Sequence, residues 1–155
     1  MEGILVRKAL FSDREQLLVF EQGVLAAERP FDVTLKRENT HYYNLDELLT
    51  APHIALMVAE TEGRLIGSGY ARLETAKPYL QHTRYAYLGF MYVVPEHRGK
   101  GVNKLVLQEL EKWACEQGVT ELRLEVYHDN LAAIKAYEKA GYSRLLVEMR
   151  KGLYC

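Results

Sequence analysis

Apolar and polar positions along the chain change period several times, and each change marks an element. Ile4 to Arg7 reads as a short strand. Ser12 followed three residues later by Glu15 has the form of a capping box, so a helix is expected to begin there. Leu17, Leu18, Val24 and Leu25 give that helix an apolar face, and Pro30 ends it near Glu28. Residues 31–37 look irregular, and a second short helix is expected over 39–50, before Pro52. His53 to Glu60 is strand-like. Glu62-Gly63 makes a turn, and Arg64 to Leu73 continues as the second arm of a hairpin. Gly67 and Gly69 weaken that arm or mark a bulge.

After a polar loop over 75–83, Arg84 to Val94 forms a long aromatic and β-branched strand stopped by Pro95. The cleanest helical spacing follows: Val102, Leu105, Val106, Leu110, Trp113 and Ala114, over 102–117, with Gly118 where a C-terminal cap belongs. Thr120 to Tyr127 alternates, with Leu122, Leu124 and Val126 on one face. Asn130 caps a helix over 131–140 ended by Gly141, and Tyr142 to Arg150 reads as a final strand. An early antiparallel hairpin followed by strand–helix–strand units predicts an α/β or α+β fold with a mixed sheet.

At 155 residues the chain is expected to fold as a single domain, 1–155, able to bury a core without metal or disulfide staples. The formal net charge of −1 argues against a nucleic-acid surface. Cys115 and Cys155 form no CxxC and no disulfide framework, so they are expected to be free thiols in a reducing compartment. Arg7 and Lys8 interrupt any signal-peptide core. Apolar runs such as Ile54 to Ala59 are too short to span a membrane. The expectation is a soluble, cytoplasmic protein with neither nucleic acid nor membrane as partner.

One stretch carries chemistry: VVPEHRGKGVNKLV, from Val93 to Val106. Cations sit poorly at a helix start, where unpaired N–H groups and the dipole already leave partial positive charge. Here Arg98, Lys100 and Lys104 surround Gly99 and Gly101 at such a start. Converging amides, close backbone approach at glycine and added cations suit an anion, and a pyrophosphate would use the whole run. The alternative is a loop whose cations merely solvate it. The Walker A and dinucleotide patterns both fail at Lys104, where each requires glycine.

The segment Arg98-Gly99-Lys100-Gly101-Val102-Asn103 resembles the acyl-CoA pyrophosphate loop, Arg-x-x-Gly-x-Gly/Ala, of GNAT N-acetyltransferases. DNLAAIKAYEKAGY, from Asp129 to Tyr142, is similar to that family's Asn-x-x-Ala-x-x-x-Tyr-x-x-x-Gly-Phe/Tyr segment, with Asn130, Ala133, Tyr137, Gly141 and Tyr142 matching. The resemblance covers about residues 54–142. Two departures stand out. Asn103 replaces the last Gly/Ala of the loop. There is also room for only one strand after the second block, so the sheet edge differs or a partner chain, as in a homodimer, completes it.

The resemblance implies a GNAT-like central, mostly antiparallel sheet with splayed middle strands, flanked by helices. It implies acetyl transfer from acetyl-CoA to a primary amine of a small molecule or peptide, directly in a ternary complex and without metal. A CoA-binding regulatory module of the same fold without turnover is the alternative. Backbone groups of Tyr92, Val93 and Val94 would meet the pantetheine arm. Amides from Arg98 through Gly99, Lys100, Gly101, Val102 and Asn103 to Lys104 would hold the pyrophosphate, and Asn130 would contact the arm. Tyr137 is the expected general acid, a phenol protonated at neutral pH; otherwise it is a core tyrosine. Glu125 is a candidate base, directly or through water; otherwise it pairs with Arg123 or faces solvent. Glu74 is a weaker candidate, and Tyr127 and His128 lie near Asn130. His41, His53, His82, His97 and His128 make no metal-binding spacing, and there is no GxSxG elbow. The acceptor site is expected from residues 20–45 and 74–84, where charges of both signs mix with aromatics.

Overall fold

The computed structural model describes residues 3–155. It contains two compact units, one ending at Glu125 and the other running from Val126 to Cys155.

The first unit is built on a five-stranded sheet in the order β1-β2-β3-β4-β5. The strands are β1 (Leu5–Lys8), β2 (Ile54–Thr61), β3 (Arg64–Thr75), β4 (Arg84–Val93) and β5 (Leu122–Arg123). The first four pair antiparallel, and β5 joins β4 in parallel. The helices of this unit are α1 (Arg14–Glu28), α2 (Leu45–Thr50) and α3 (Val102–Glu116). Helix α1 contacts β3 and β4, α2 contacts β2, and α3 contacts β2 and β3. Strand β2 is therefore buried along Ile54 to Ala59 without alternation, as expected for a strand covered on both faces.

Leu17, Phe20 and Val24 of α1 meet Leu45 and Leu48 of α2 over Ile54, Leu56, Val58, Tyr70 and Phe90. Each such aliphatic or aromatic side chain contributes about 1.5–3 kcal/mol by leaving water. Gly67 and Gly69 admit α3 closely: a Cβ there would lie 3.0 Å from Val102 and 2.9 Å from Val106. The start of α3 is thereby seated on the sheet. At the hairpin, Glu62 and Gly63 both take positive φ, 51° and 75°, the backbone of a tight two-residue turn.

Several expected elements differ. Ser12 does not cap α1; Phe11–Asp13 forms a 3-10 turn and Asp13 is the N-cap residue. The Asp13 carboxylate accepts from Leu10 N at 2.7 Å and from both terminal nitrogens of Arg7, at 2.8 and 3.1 Å. This charge-assisted set outcompetes a serine cap. The second helix begins only at Leu45, with Asn44 accepting from Glu47 N at 3.2 Å. The preceding residues are drawn off the helical path because the amides of Tyr42 and Tyr43 donate to Glu21. The strand expected over 120–127 contracts to Leu122–Arg123.

The second unit holds α4 (Leu131–Lys139), capped by Asn130 Oδ1 accepting from Ala133 N at 3.3 Å. The final strand expected over 142–150 is not formed. Leu145, Leu146, Val147 and Met149 are exposed, and no strand among the described residues pairs with this stretch. Without a ladder partner, its backbone has nothing to make it a strand.

Candidate active site

Strand β4 is paired with β5 only at Ala86–Leu122 and Tyr87–Arg123. From Leu88 to Val93, no strand among the described residues covers that edge of β4. A bulge lies within this stretch: the register with β3 shifts between Ser68 and Tyr70, and Phe90 takes φ 54°. Left-handed backbone is costly for a bulky aromatic residue. It is held by burial of Phe90 and by Ser68 Oγ, which donates to Phe90 O at 2.9 Å. Bulges bend a strand and end its pairing, which accounts for the early departure of β5.

Beyond Val93 the chain turns through Pro95–His97 into the glycine loop. Arg98 Nε donates to Val93 O at 2.9 Å, and its guanidinium carbon lies 5.7 Å from the Tyr92 ring centroid. Arg98 thus braces the strand end, while its own N–H donates to Pro95 O. The Val94 N–H donates to Ile66 O. Three backbone groups within the run expected to meet the donor, Val93 O, Val94 N–H and Arg98 N–H, are therefore engaged by the protein itself. Gly99 and Gly101 take φ 75° and 83°. Gly101 is the N-cap of α3, and no side chain caps that end. The first intrahelical bond is Leu105 N–H to Gly101 O. The amides of Val102, Asn103 and Lys104 therefore have no intrahelical acceptor. Lys100 and Lys104 are exposed, Asn103 is half-buried, and a side chain at Gly99 would meet nothing within 4 Å. Open backbone, unfilled donors and local cations fit a polyphosphate.

On the face toward α1, the ring of Tyr92 packs on Phe20 at 4.9 Å, and Gly23 leaves room for its hydroxyl. Next to it stands a wall of tyrosines. Tyr43 stacks on Phe90, with centroids 4.4 Å apart, and meets Tyr70 edge-on at 6.1 Å. Tyr70 neighbours Tyr87 at 6.4 Å. The Arg72 guanidinium lies 5.5 Å from the Tyr70 centroid and 5.3 Å from that of Tyr87, and it pairs with Glu74. Burial holds all three phenols above the ordinary tyrosine range; for Tyr87 the bond to Glu125 adds to it. They remain protonated donors at neutral pH.

Glu125 is exposed and accepts from Tyr87 Oη at 2.8 Å. Its sequence neighbour Arg123 pairs instead with Glu121, at 3.1 Å. Glu28, half-buried, has its carboxyl pushed up by burial, with a bond from Tyr42 acting the other way. In the second unit, Tyr137 lies on α4 with its ring edge-on to Tyr142 at 5.8 Å, and Asn130 spends its side-chain oxygen on the helix cap. Tyr70, Arg72 and Tyr87 were missed by the sequence reading. The alternation Tyr70, Arg72, Glu74 on one strand face is the signal that marks the first two. Among the described residues, no group of three or more His, Cys, Asp or Glu side chains is placed to hold a metal ion. No helix there is long and apolar enough to cross a membrane.

The Acetyltransferase (GNAT) family model matches residues 22–142, and the chain belongs to that family. An uncharacterized N-acetyltransferase, YobR, from Bacillus subtilis (strain 168) is 41% identical over 59 residues, 38% of this chain and 24% of that protein. The matched part of the chain thus spans only about a quarter of that relative's length. The crystal structure of a mutant BH1408 protein from Bacillus halodurans superposes with a TM-score of 0.87 at 19% identity, covering 97% of this chain and 99% of that one. AAC(6')-Iy in complex with the bisubstrate analog CoA-S-monomethyl-acetylneamine superposes with a TM-score of 0.73 at 18% identity, covering 98% and 99%. Both share the fold.

Proposed function

We propose that this chain is an acyl-CoA-dependent N-acetyltransferase that acts as one domain, moving an acetyl group from acetyl-CoA to a primary amine of a small molecule or peptide. The observation that carries the reading is the edge of β4 that no described strand pairs beyond Tyr87, leading into a glycine loop whose helix start has no side-chain cap. The amides from Gly99 to Lys104, with Lys100 and Lys104, would hold the pyrophosphate of the donor. The groups of β4 near Tyr92 and Val93 left unpaired on that edge, other than the Val93 carbonyl held by Arg98, would receive the pantetheine amides, and a β4 N–H would polarise the thioester carbonyl. The solved likeness of AAC(6')-Iy with a CoA-linked aminoglycoside supports a donor of this kind and an amine acceptor.

The transfer is direct. The amine loses a proton to Glu125, either directly or through water, and Tyr87 orients that carboxylate. Its nitrogen lone pair forms the new N–C bond while the C–S bond breaks. The departing thiolate takes the proton of Tyr137, the role the family resemblance implies for this residue, and the second proton released from the new amide nitrogen restores the phenol. The carboxylates Glu28 and Glu125 beside the tyrosines suit an acceptor that is itself cationic, while Arg72, already over the Tyr70 and Tyr87 rings, is neutralised by Glu74. The reading includes a cytoplasmic setting. It also includes a homodimer, for which the support is the exposed apolar side chains of Leu145, Leu146, Val147 and Met149, since exposed apolar patches mark interaction surfaces.

Calorimetric titration with acetyl-CoA, with CoA and ATP as comparisons, tests the donor. Micromolar binding that ATP does not reproduce is expected. Consumption of acetyl-CoA is then followed with an aminoglycoside, a polyamine, an amino acid and a peptide N-terminus. Absence of acetyl-CoA binding would overturn the donor assignment, and binding without transfer to any amine would overturn turnover.

A further inference from the structure

Glu21 lies on the apolar face of α1 between Phe20 and Val24, and its side chain is 0% exposed. A carboxylate removed from water is costly unless its lone pairs are filled. All the donors found for it come from three consecutive residues of one loop. Oε2 accepts from Tyr42 N at 2.9 Å and from Tyr43 N at 2.8 Å, and Oε1 lies 2.6 Å from His41 Nδ1. Successive amides closing on one anion form a nest. No Lys or Arg forms an ion pair with Glu21 among the described residues. Next to it on α1, Gln22 Nε2 donates to Thr40 O at 3.1 Å, a second tie to the same loop.

An apolar residue at position 21 would pack on this face at lower cost, so the carboxylate is explained by the loop and not by the helix. The loop's product is the placement of Tyr43. Its ring stacks on Phe90, the bulge residue of β4, at an interplanar angle of 22°, and stands edge-on to Tyr70 at 83°. One buried carboxylate thereby holds the loop whose Tyr43 ring lies on Phe90 and beside Tyr70. We infer that Glu21 is a positioning residue of the acceptor site: it clamps the His41–Tyr43 loop so that Tyr43 is locked over Phe90 and Tyr70. The acceptor role of that wall rests on the function proposed above; the clamp itself does not.

The test is the variant Glu21→Gln, which keeps size and removes charge. With its amide oxygen kept on the Tyr42 and Tyr43 N–H groups, it makes only neutral hydrogen bonds there, and its amide nitrogen meets His41 Nδ1 where Oε1 stood. Hydrogen exchange read on a peptide covering residues 39–44 should speed up about tenfold or more, with α1 and β2 to β3 unchanged. Acetyl-CoA affinity should stay within about twofold. With kanamycin and spermidine as probe amines, the amine KM should rise about tenfold while the acetyl-CoA KM holds. Unchanged exchange over 39–44 would overturn the clamp. Both KM values rising together would overturn its acceptor-specific role. Wild-type enzyme that acetylates no amine would count against the proposed function, and the exchange experiment would still decide the clamp. If Glu21→Gln does not fold, Glu21→Asp is read the same way. It keeps the charge but shortens the reach, and several-fold faster exchange at 39–44 is expected; wild-type exchange there would overturn the proposal.

Discussion

The glycine loop before α3 and the tyrosine wall beside α1 sit on one sheet, yet they are made of different materials. The loop is almost all backbone. Its chemistry lies in φ values of 75° and 83° at Gly99 and Gly101 and in a helix start without a side-chain cap. The wall is all side chain. Tyr43, Tyr70, Tyr87 and Glu125 arrive from a loop, two strands and the segment after β5, and each is held by packing or by a hydrogen bond. Contiguous backbone can be specified by a few adjacent residues. A side-chain wall needs register, bulge and burial to be right at once. In the proposed reaction the first holds what every member of the family would hold, and the second what this chain selects.

The sharpest break in that comparison is Gly101→Glu. A carboxylate would stand at the N-terminus where the proposed anion sits, on a residue whose φ of 83° disfavours any side chain. Acetyl-CoA affinity is expected to fall more than about a hundredfold. The cost to the fold is about 1 kcal/mol, read as a small drop in melting temperature. Gly101→Ala separates strain from charge, because it carries the first without the second. Normal acetyl-CoA binding by Gly101→Glu would move the phosphate site elsewhere.

A second variant addresses the chemical step apart from both regions. Tyr137→Phe should lower kcat about a hundredfold while leaving acetyl-CoA binding intact. Unchanged turnover with intact binding would remove Tyr137 as the acid. A third probes the wall alone. Tyr87→Phe keeps the ring but deletes the bond to Glu125, made at 2.8 Å. A loss of about tenfold in kcat/KM for the amine is expected, with the acetyl-CoA titration unchanged. Glu125→Gln should cost at least as much. If Tyr87→Phe weakens donor binding instead, the wall and the loop are not separable.

The same contrast explains what could be read from the sequence. Strands β2, β3 and β4, the hairpin turn and helix α3 follow from periodicity and punctuation, and the glycine loop follows from six adjacent residues. The wall does not, because residues far apart in sequence meet only after the β3–β4 register is set. Glu21 carried a readable signal: a carboxylate between Phe20 and Val24 on an otherwise apolar helix face. What could not be read was its partner, the amides of Tyr42 and Tyr43, which took residues 39–44 out of the expected helix. The last strand failed for a related reason. Residues 144–150 have strand-forming composition, but a strand is defined by its neighbour, and none pairs with them among the described residues. Ser12 misled because local capping logic cannot see Arg7 approaching Asp13 from β1.

That Arg7–Asp13 pair supplies the smallest and cleanest expectation, since it touches neither region. The Arg7 guanidinium holds the Asp13 carboxyl below the usual carboxylate range, helped by the Leu10 amide and opposed by burial. The sign follows from linkage. A carboxyl with a depressed pKa in the folded state binds fewer protons there than when unfolded. Its contribution is fully present above the ordinary aspartate range and is lost as pH falls through the depressed value. Asp13→Asn removes the charge but keeps the shape. At neutral pH it should cost about 1–2 kcal/mol, roughly 3–6 °C in melting temperature for a chain of this size. The difference from wild type should shrink as the solution is made strongly acid. Acetyl-CoA affinity and amine KM should not move, because the pair braces only β1 and the turn before α1, at the far edge of the sheet from β4. A change in either constant would mean that the start of α1 is coupled to the wall through Phe20 and Glu21. The loop and the wall would then have to be treated as one cooperative structure.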